Sequence, residues 1–155
     1  TVAAGGDETI GMAEEQVERL IRELELDDVV RCDIRFLSVE EQVEAIQGCH
    51  FGVFAYQDRA QSSSGTIPLV MSAGRPVVCT PFEYARSKTE EGFPAILAEG
   101  FDVKDVAGAI EACWKSARCS ALWTKAYSST SDWAWPKVGA RFEEEFRRAV
   151  GDTSP

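Results

Sequence analysis

Short apolar runs alternate with helical segments along this 155-residue chain. Runs rich in valine, isoleucine and phenylalanine, bounded by turn residues, predict buried strands at 1–4, 29–37, 50–56, 75–80 and 94–99. Between them, apolar side chains at helical spacing predict amphipathic helices. Because strands separated by helices at this rhythm form parallel βαβ units, the pattern predicts an α/β fold, a Rossmann-like open parallel sheet with helices on both faces.

Local signals indicate where the helices begin. Ser38 with Glu41 three residues later forms a capping box, Asp102 is a cap residue, and Pro136 stands at a favoured first helical position. The predicted helices occupy 12–25, the segment after Ser38, 65–73, the segment after Asp102, and two closing helices at about 118–150. On the first helix, Val17, Leu20, Ile21 and Leu24 form one apolar face. The stripes expected to be buried on three of the others are Val39, Val43 and Ile46; Val103, Val106, Ile110 and Cys113; and Val138, Phe142 and Phe146.

The composition excludes several classes of function. A formal net charge of −10 argues against a nucleic-acid or anionic-membrane surface, because phosphate contacts need clustered lysine and arginine. No apolar run approaches the roughly 20 residues that span a bilayer. His50 is the only histidine, so neither a histidine-based metal cluster nor a Ser-His-Asp triad can be assembled within this chain. We therefore expect no metal site and no transmembrane segment.

The cysteines and the length bear on compartment and domain count. Five cysteines are scattered along the chain without a Cys-x-x-Cys pair, which fits a reducing compartment better than a disulfide framework. We expect an intracellular protein, cytoplasmic in the simplest case, with an organelle left open. The length predicts a single domain that spans residues 1–155.

A serine-glycine turn at 61–66 joins a predicted strand to a predicted helix. Ligands of open α/β sheets bind where such turns leave the carboxyl ends of the strands. Gly65 lets a ligand approach the backbone, and the amides of Ser64, Gly65 and Thr66 at a helix N-terminus would attract an anion, most naturally a phosphate. The alternative is a solvated loop in which Ser64 only caps the helix. The spacing matches neither a Walker loop nor the Rossmann glycine fingerprint.

Three segments carry a resemblance to a known family. Residues 61–85, QSSSGTIPLVMSAGRPVVCTPFEYA, resemble the donor-binding segment in the C-terminal domain of GT-B glycosyltransferases, specifically the retaining family four enzymes of the branch that carries Ser-Gly-Thr before the helix. Residues 36–56 look like the strand, helix and strand that lead to that segment, and residues 130–147 are similar to the Trp-containing closing helix. Most of the chain is covered.

That resemblance implies a function and a set of site residues. The chain would be the C-terminal half of a GT-B fold without its first strand, and it would bind a nucleotide-sugar for glycosyl transfer with retention. No cofactor or obligatory metal is implied, and no DxD sequence is present. The implied diphosphate-binding residues are Ser63, Ser64, Gly65 and Thr66, and the implied nucleobase region is Phe36, Leu37 and Ser38.

Two positions depart from the family pattern. Many members place glutamates toward the donor sugar and the ribose where this chain has Gln61 and Leu69. The first strand and the N-terminal acceptor domain of the family have no counterpart here. We therefore expect either a fragment of a longer enzyme or a component completed by another polypeptide, inactive alone. The alternatives are a degenerate glycosyltransferase-like domain that acts as a structural or interaction module, and a flavodoxin-like or receiver-type domain.

Overall fold

The computed structural model describes residues 7–33, 36–116 and 120–151, and the predicted strand at 1–4 lies outside these ranges. The chain divides into two compact units, residues 1–39 and residues 40–155. Within the described ranges, no helix combines the length and the apolar character that a membrane span requires.

The first unit contains helix α1 at Asp7–Glu23, which confirms the predicted helix with an earlier start. The helix ends with Glu25 in the left-handed region, at a φ of 54°. The Leu26 amide donates to the Ile21 carbonyl at 2.9 Å, and the Glu25 amide donates to the Arg22 carbonyl at 3.1 Å. This arrangement is a Schellman motif, in which the chain reverses and satisfies the last carbonyls of the helix.

Only part of the apolar face of α1 is buried. Of the four residues on the predicted apolar face, Ile21 is buried, and Val17, Leu20 and Leu24 are exposed. Helical spacing determines which side chains share a face, whereas burial requires a neighbour that covers that face.

The predicted strand at 29–37 is wrong for the residues that the structure describes. Residues 27–29 form a turn, and neither 30–33 nor 36–38 adopts strand pairing. The Leu26 carbonyl accepts hydrogen bonds from the amides of Val29 and Val30, which bends the backbone where a strand would extend it. β-Propensity reflects fit to a pleated surface with neighbours, so an apolar run without a pairing partner does not form a strand.

The second unit holds the sheet. After helix α2 at Val39–Gln47, which begins at the boundary between the units, strands and helices alternate. The strands are β1 at Gly52–Phe54, β2 at Val77–Cys79 and β3 at Ala95–Leu97. The helices that follow α2 are α3 at Thr66–Ser72, α4 at Glu83–Glu90, α5 at Val103–Ser116, α6 at Ser120–Ser129 and α7 at Trp135–Ala149, with a 3-10 segment at Ser131–Trp133 before the last.

The three strands form an open parallel sheet in the order β1-β2-β3. Gly52 pairs with Val77, and Val77 pairs with Ala95, so the first residues of the three strands are aligned in register. The predicted strands at 50–56, 75–80 and 94–99 are confirmed, each with a shorter paired core. Among the described residues, β1 and β3 each pair along one edge.

Both faces of the central strand β2 are buried. Val77 and Cys79 face a cluster that includes Met71 of α3 and Phe82, whereas Val78 faces a cluster that includes Cys113 of α5. Successive side chains of a strand point to opposite faces, so helices cover both sides of the sheet. The expected α/β architecture with helices on both faces is confirmed for this three-stranded sheet.

Several helices leave part of their apolar stripe uncovered. On α2, Val43 and Ile46 are half-buried and Val39 is exposed, and on α5 Cys113 is buried while Val103 is exposed. The expected burial is therefore wrong at Val39 and Val103. Both residues stand at the first position of their helix.

The closing helix α7 does not bury the residues assigned to its buried face. Phe142 and Phe146 are exposed, and Val138 is half-buried. The two phenylalanines stack on each other, with ring centroids 6.2 Å apart. Their spacing places them on one face of the helix as expected, but within the described ranges no element covers that face.

Phe146→Ala is expected to change the free energy of unfolding by less than about 0.5 kcal/mol, because substitutions of exposed residues rarely cost more. Phe146 is 66% exposed. Urea denaturation of the wild-type and variant chains, followed by circular dichroism, checks this. A loss above about 2 kcal/mol, the range of buried large-to-small substitutions, would mean that the face is covered in solution.

Candidate functional site

The loops at the carboxyl ends of the three strands meet at one edge of the sheet, because the strands are parallel. The loop 55–65 follows β1, and residues 80–82 connect β2 to α4. The amides of Glu83 and Tyr84 donate to the carbonyls of Arg59 and Gln61, at 3.0 and 3.1 Å. Two amides in the first turn of α4 therefore already have protein acceptors, which leaves fewer amides there to bind an anion.

Ser64 caps helix α3. Its Oγ accepts a hydrogen bond from the Ile67 amide at 3.3 Å. Gly65 already has helical dihedrals, with φ −81° and ψ −26°, so the helical turn begins directly after Ser64. The capping role considered for Ser64 is confirmed, and it leaves the hydroxyl hydrogen of this serine available to a further acceptor.

A short chain of hydroxyl groups runs beneath the turn. The Thr66 Oγ1 lies 3.3 Å from the Ser64 Oγ and 3.1 Å from the Tyr56 hydroxyl. The hydroxyl groups of Ser64, Thr66 and Tyr56 carry three hydrogens, and the two contacts use two of them. One hydrogen therefore remains free to donate outside the group. The Tyr56 carbonyl in turn accepts from the Thr80 hydroxyl at 2.6 Å, which ties the end of β1 to the end of β2.

The amides of Gly65 and Thr66 are open at the start of α3. Within the ranges that the structure describes, neither amide donates to a protein group. A Cβ added at Gly65 would meet no atom within 4 Å, and the φ of Gly65 is one that any residue adopts. Nothing in the described chain therefore requires glycine here, and the two amides without a protein acceptor are the groups that an anion would bind.

The structure brings Gln61 and Ser63 together. The Gln61 side-chain amide donates to the Ser63 carbonyl at 2.9 Å, and Ser63 itself is exposed. Leu69 lies on α3 with a half-buried side chain. Phe36, Leu37 and Ser38 belong to the first unit, and Phe36 is 99% exposed.

The basic side chains between residues 59 and 88, the residue type that would supplement a phosphate site, have protein partners. Arg75 lies over the Trp123 ring at 3.9 Å, Arg86 donates to the Pro81 carbonyl at 2.7 Å, and Lys88 pairs with Glu91 at 2.6 Å. The Arg59 guanidinium lies 4.5 Å from the centroid of the Phe101 ring. Of these residues, Arg59 stands on the loop that leads to the serines.

Two titratable groups near the sheet have raised pKa values. Burial raises the pKa of the Cys79 thiol to about 12. Burial, followed by the charges of Glu91 and Cys79, raises the pKa of Tyr84. In the described part of the chain, no group of three histidine, cysteine or acidic side chains could hold a metal ion. His50 packs edge-on against Trp114, with ring centroids 5.3 Å apart.

The contacts of Tyr56, Thr80 and Phe101 near the turn were not predicted. Each residue lies in the segment that follows one of the strands, and that position is a signal that could have found them. Comparisons of the chain with models of known protein families, with curated proteins and with solved structures gave no match.

Proposed function

We propose that this chain is the donor-binding portion of a retaining glycosyltransferase and binds a nucleotide-diphosphate sugar at residues 63–66. The observation that carries the proposal is the start of α3, where the Gly65 and Thr66 amides have no protein acceptor among the described residues and a Cβ at Gly65 would meet open space. A helix N-terminus of this kind at the carboxyl end of a parallel strand suits a diphosphate. The resemblance of residues 61–85 to the Ser-Gly-Thr branch supplies the donor class.

The turn would contribute to the reaction by stabilising the leaving group. When the bond between the sugar and the diphosphate breaks, negative charge develops on the departing nucleoside diphosphate. The Gly65 and Thr66 amides and one hydroxyl hydrogen of the Ser64, Thr66 and Tyr56 group would donate to that charge without a metal ion. No catalytic base or nucleophile is assigned to this chain.

A glycosyltransferase also needs a place for the acceptor. We propose that an N-terminal acceptor domain or another polypeptide supplies it and completes the sheet. The edges of β1 and β3 that lack a partner among the described residues support this, because open strand edges favour pairing with further strands. Phe36, Leu37 and Ser38 stay the proposed nucleobase segment on the resemblance alone.

One observation favours a second candidate, a glycosyltransferase-like domain that acts as an interaction module. The Gln61 amide is bonded to the Ser63 carbonyl, and Leu69 stands where a ribose ligand is expected. A leucine side chain cannot hydrogen-bond to a ribose diol. Measured nucleotide binding separates the two candidates.

Gly65→Asp is expected to weaken nucleotide binding at least tenfold while the chain stays folded. A carboxylate at a helix N-terminus stabilises the helix, but it would occupy and repel the diphosphate position. The test is a thermal-shift and calorimetric titration with UDP, GDP, UDP-glucose and GDP-mannose. Ligand at 100 times the Kd stabilises the wild-type chain by about 2.7 kcal/mol.

Gly139→Asp is the matched control, because it adds the same charge on α7 at a glycine that also has open space. It should keep the full response to nucleotide. If the folded wild-type chain shows no shift with any of the four ligands, the donor-site proposal is wrong and the interaction module is favoured.

A further inference from the structure

Arg59 contacts the segments that follow all three strands. It lies on the loop after β1, and its carbonyl accepts the amide hydrogen of Glu83, the first residue of α4 after β2. Its guanidinium lies over the ring of Phe101, which follows β3. One residue therefore joins the three carboxyl-end segments of the sheet.

The main chain on both sides of Arg59 is organised by short-range hydrogen bonds. The Asp58 carboxylate accepts from the Ala60 amide at 3.0 Å, and the Asp58 carbonyl accepts from the Gln61 amide at 3.3 Å. The Gln61 carbonyl accepts from the Tyr84 amide at 3.1 Å. These bonds hold the loop to itself and to α4, and the Arg59 side chain adds the link to the segment after β3.

We propose that Arg59 is a positioning residue for the serine-glycine turn. Its guanidinium, held on the Phe101 ring, keeps the loop before the serines in the conformation that presents the Gly65 and Thr66 amides to a diphosphate. This inference rests on the proposed function. The guanidinium therefore acts on the ligand through the loop and does not contact it. Arginine is required because a planar guanidinium stacks on an aromatic face, and a lysine ammonium does not reproduce that stacking.

The test is a double-mutant cycle on the 155-residue chain with Arg59→Ala, Phe101→Leu and both together, and calorimetry measures the Kd for UDP and GDP. Each single variant should raise the Kd of the nucleotide that binds by about twofold to fivefold, the equivalent of an exposed cation–π contact. The double variant should be no weaker than either single one, because both changes remove the same contact. Arg59→Lys should not restore binding, and Arg148→Ala on α7 should leave the Kd unchanged.

Hydrogen exchange of the amides at 58–64 provides a readout that does not need a ligand. Arg59→Ala and Phe101→Leu should both speed this exchange, whereas Arg148→Ala should not. If Arg59→Ala raises the Kd and Phe101→Leu does not, Arg59 contacts the ligand directly and the positioning role is wrong. If neither variant changes the exchange, the Arg59–Phe101 contact does not hold the loop and the positioning role is wrong. A wild-type chain that binds neither nucleotide refutes the proposed function. The exchange measurement then still decides whether the Arg59–Phe101 contact holds the loop.

Discussion

Phe82→Ala is expected to lower the free energy of unfolding by about 3–5 kcal/mol, the range for truncation of a buried aromatic side chain. Phe82 is 0% exposed and is among the largest fully buried side chains of the chain. Its ring packs edge-on against Tyr56 at 5.2 Å and stacks on Tyr84 at 6.4 Å, between the sheet and α4. Truncation would leave a cavity that these neighbours cannot close without moving the strand ends.

Urea denaturation measures the loss, with Phe146→Ala as the matched exposed control. The slope of the unfolding free energy against urea concentration should stay near the wild-type value if both variants unfold in one step. Because Phe82 follows β2 and precedes the α4 amides that bind the loop 55–65, its truncation should also weaken nucleotide binding. A cost below about 1.5 kcal/mol for Phe82→Ala would contradict the burial seen in the structure.

The stability of the chain is expected to fall steeply between about pH 9 and pH 12 because of Cys79. Burial raises the pKa of this thiol from 9.0 to about 12, and the residue is 1% exposed. In that interval the unfolded chain releases a proton that the folded chain retains. The free energy of unfolding therefore decreases as the pH rises, by up to about 1.4 kcal/mol per pH unit. Below about pH 9 the contribution of this thiol is fully present.

Cys79→Ala isolates this effect, because the variant lacks the thiol and should show a shallower decline between pH 9 and pH 11 in parallel denaturation series. Tyr84 titrates in both chains, and because burial and the Glu91 charge raise its pKa more than the Cys79 charge does, most of its contribution cancels in the comparison. Labelling with a thiol reagent at pH 8 provides a second check, since Cys49 is exposed and should react long before Cys79. Equal slopes for the two chains would show that Cys79 is not protected by burial.

The candidate site was predictable in its location and only partly in its contacts. The serine run, the glycine and the following helix predict a strand-to-helix turn after β1, and the structure has that turn, while anion binding there stays a prediction. The cap formed by the Ser64 hydroxyl was also predictable, because such bonds join residues three apart. The Gln61 contact with the Ser63 carbonyl and the Arg59 contact with Phe101 depend on how the loop folds back, which no local pattern encodes.

The amino-acid sequence by itself determined the alternation of strands and helices in the second unit, because periods of 2 and 3.6 residues are local properties of the backbone. It also determined which side chains share a face on α1 and α7. Only the tertiary structure decided which faces are covered and which apolar runs pair. The run at 29–33 turns where a strand was expected, and Phe142 stays exposed. Burial and strand pairing require residues that are distant in the chain, so an apolar pattern predicts a surface without predicting its partner.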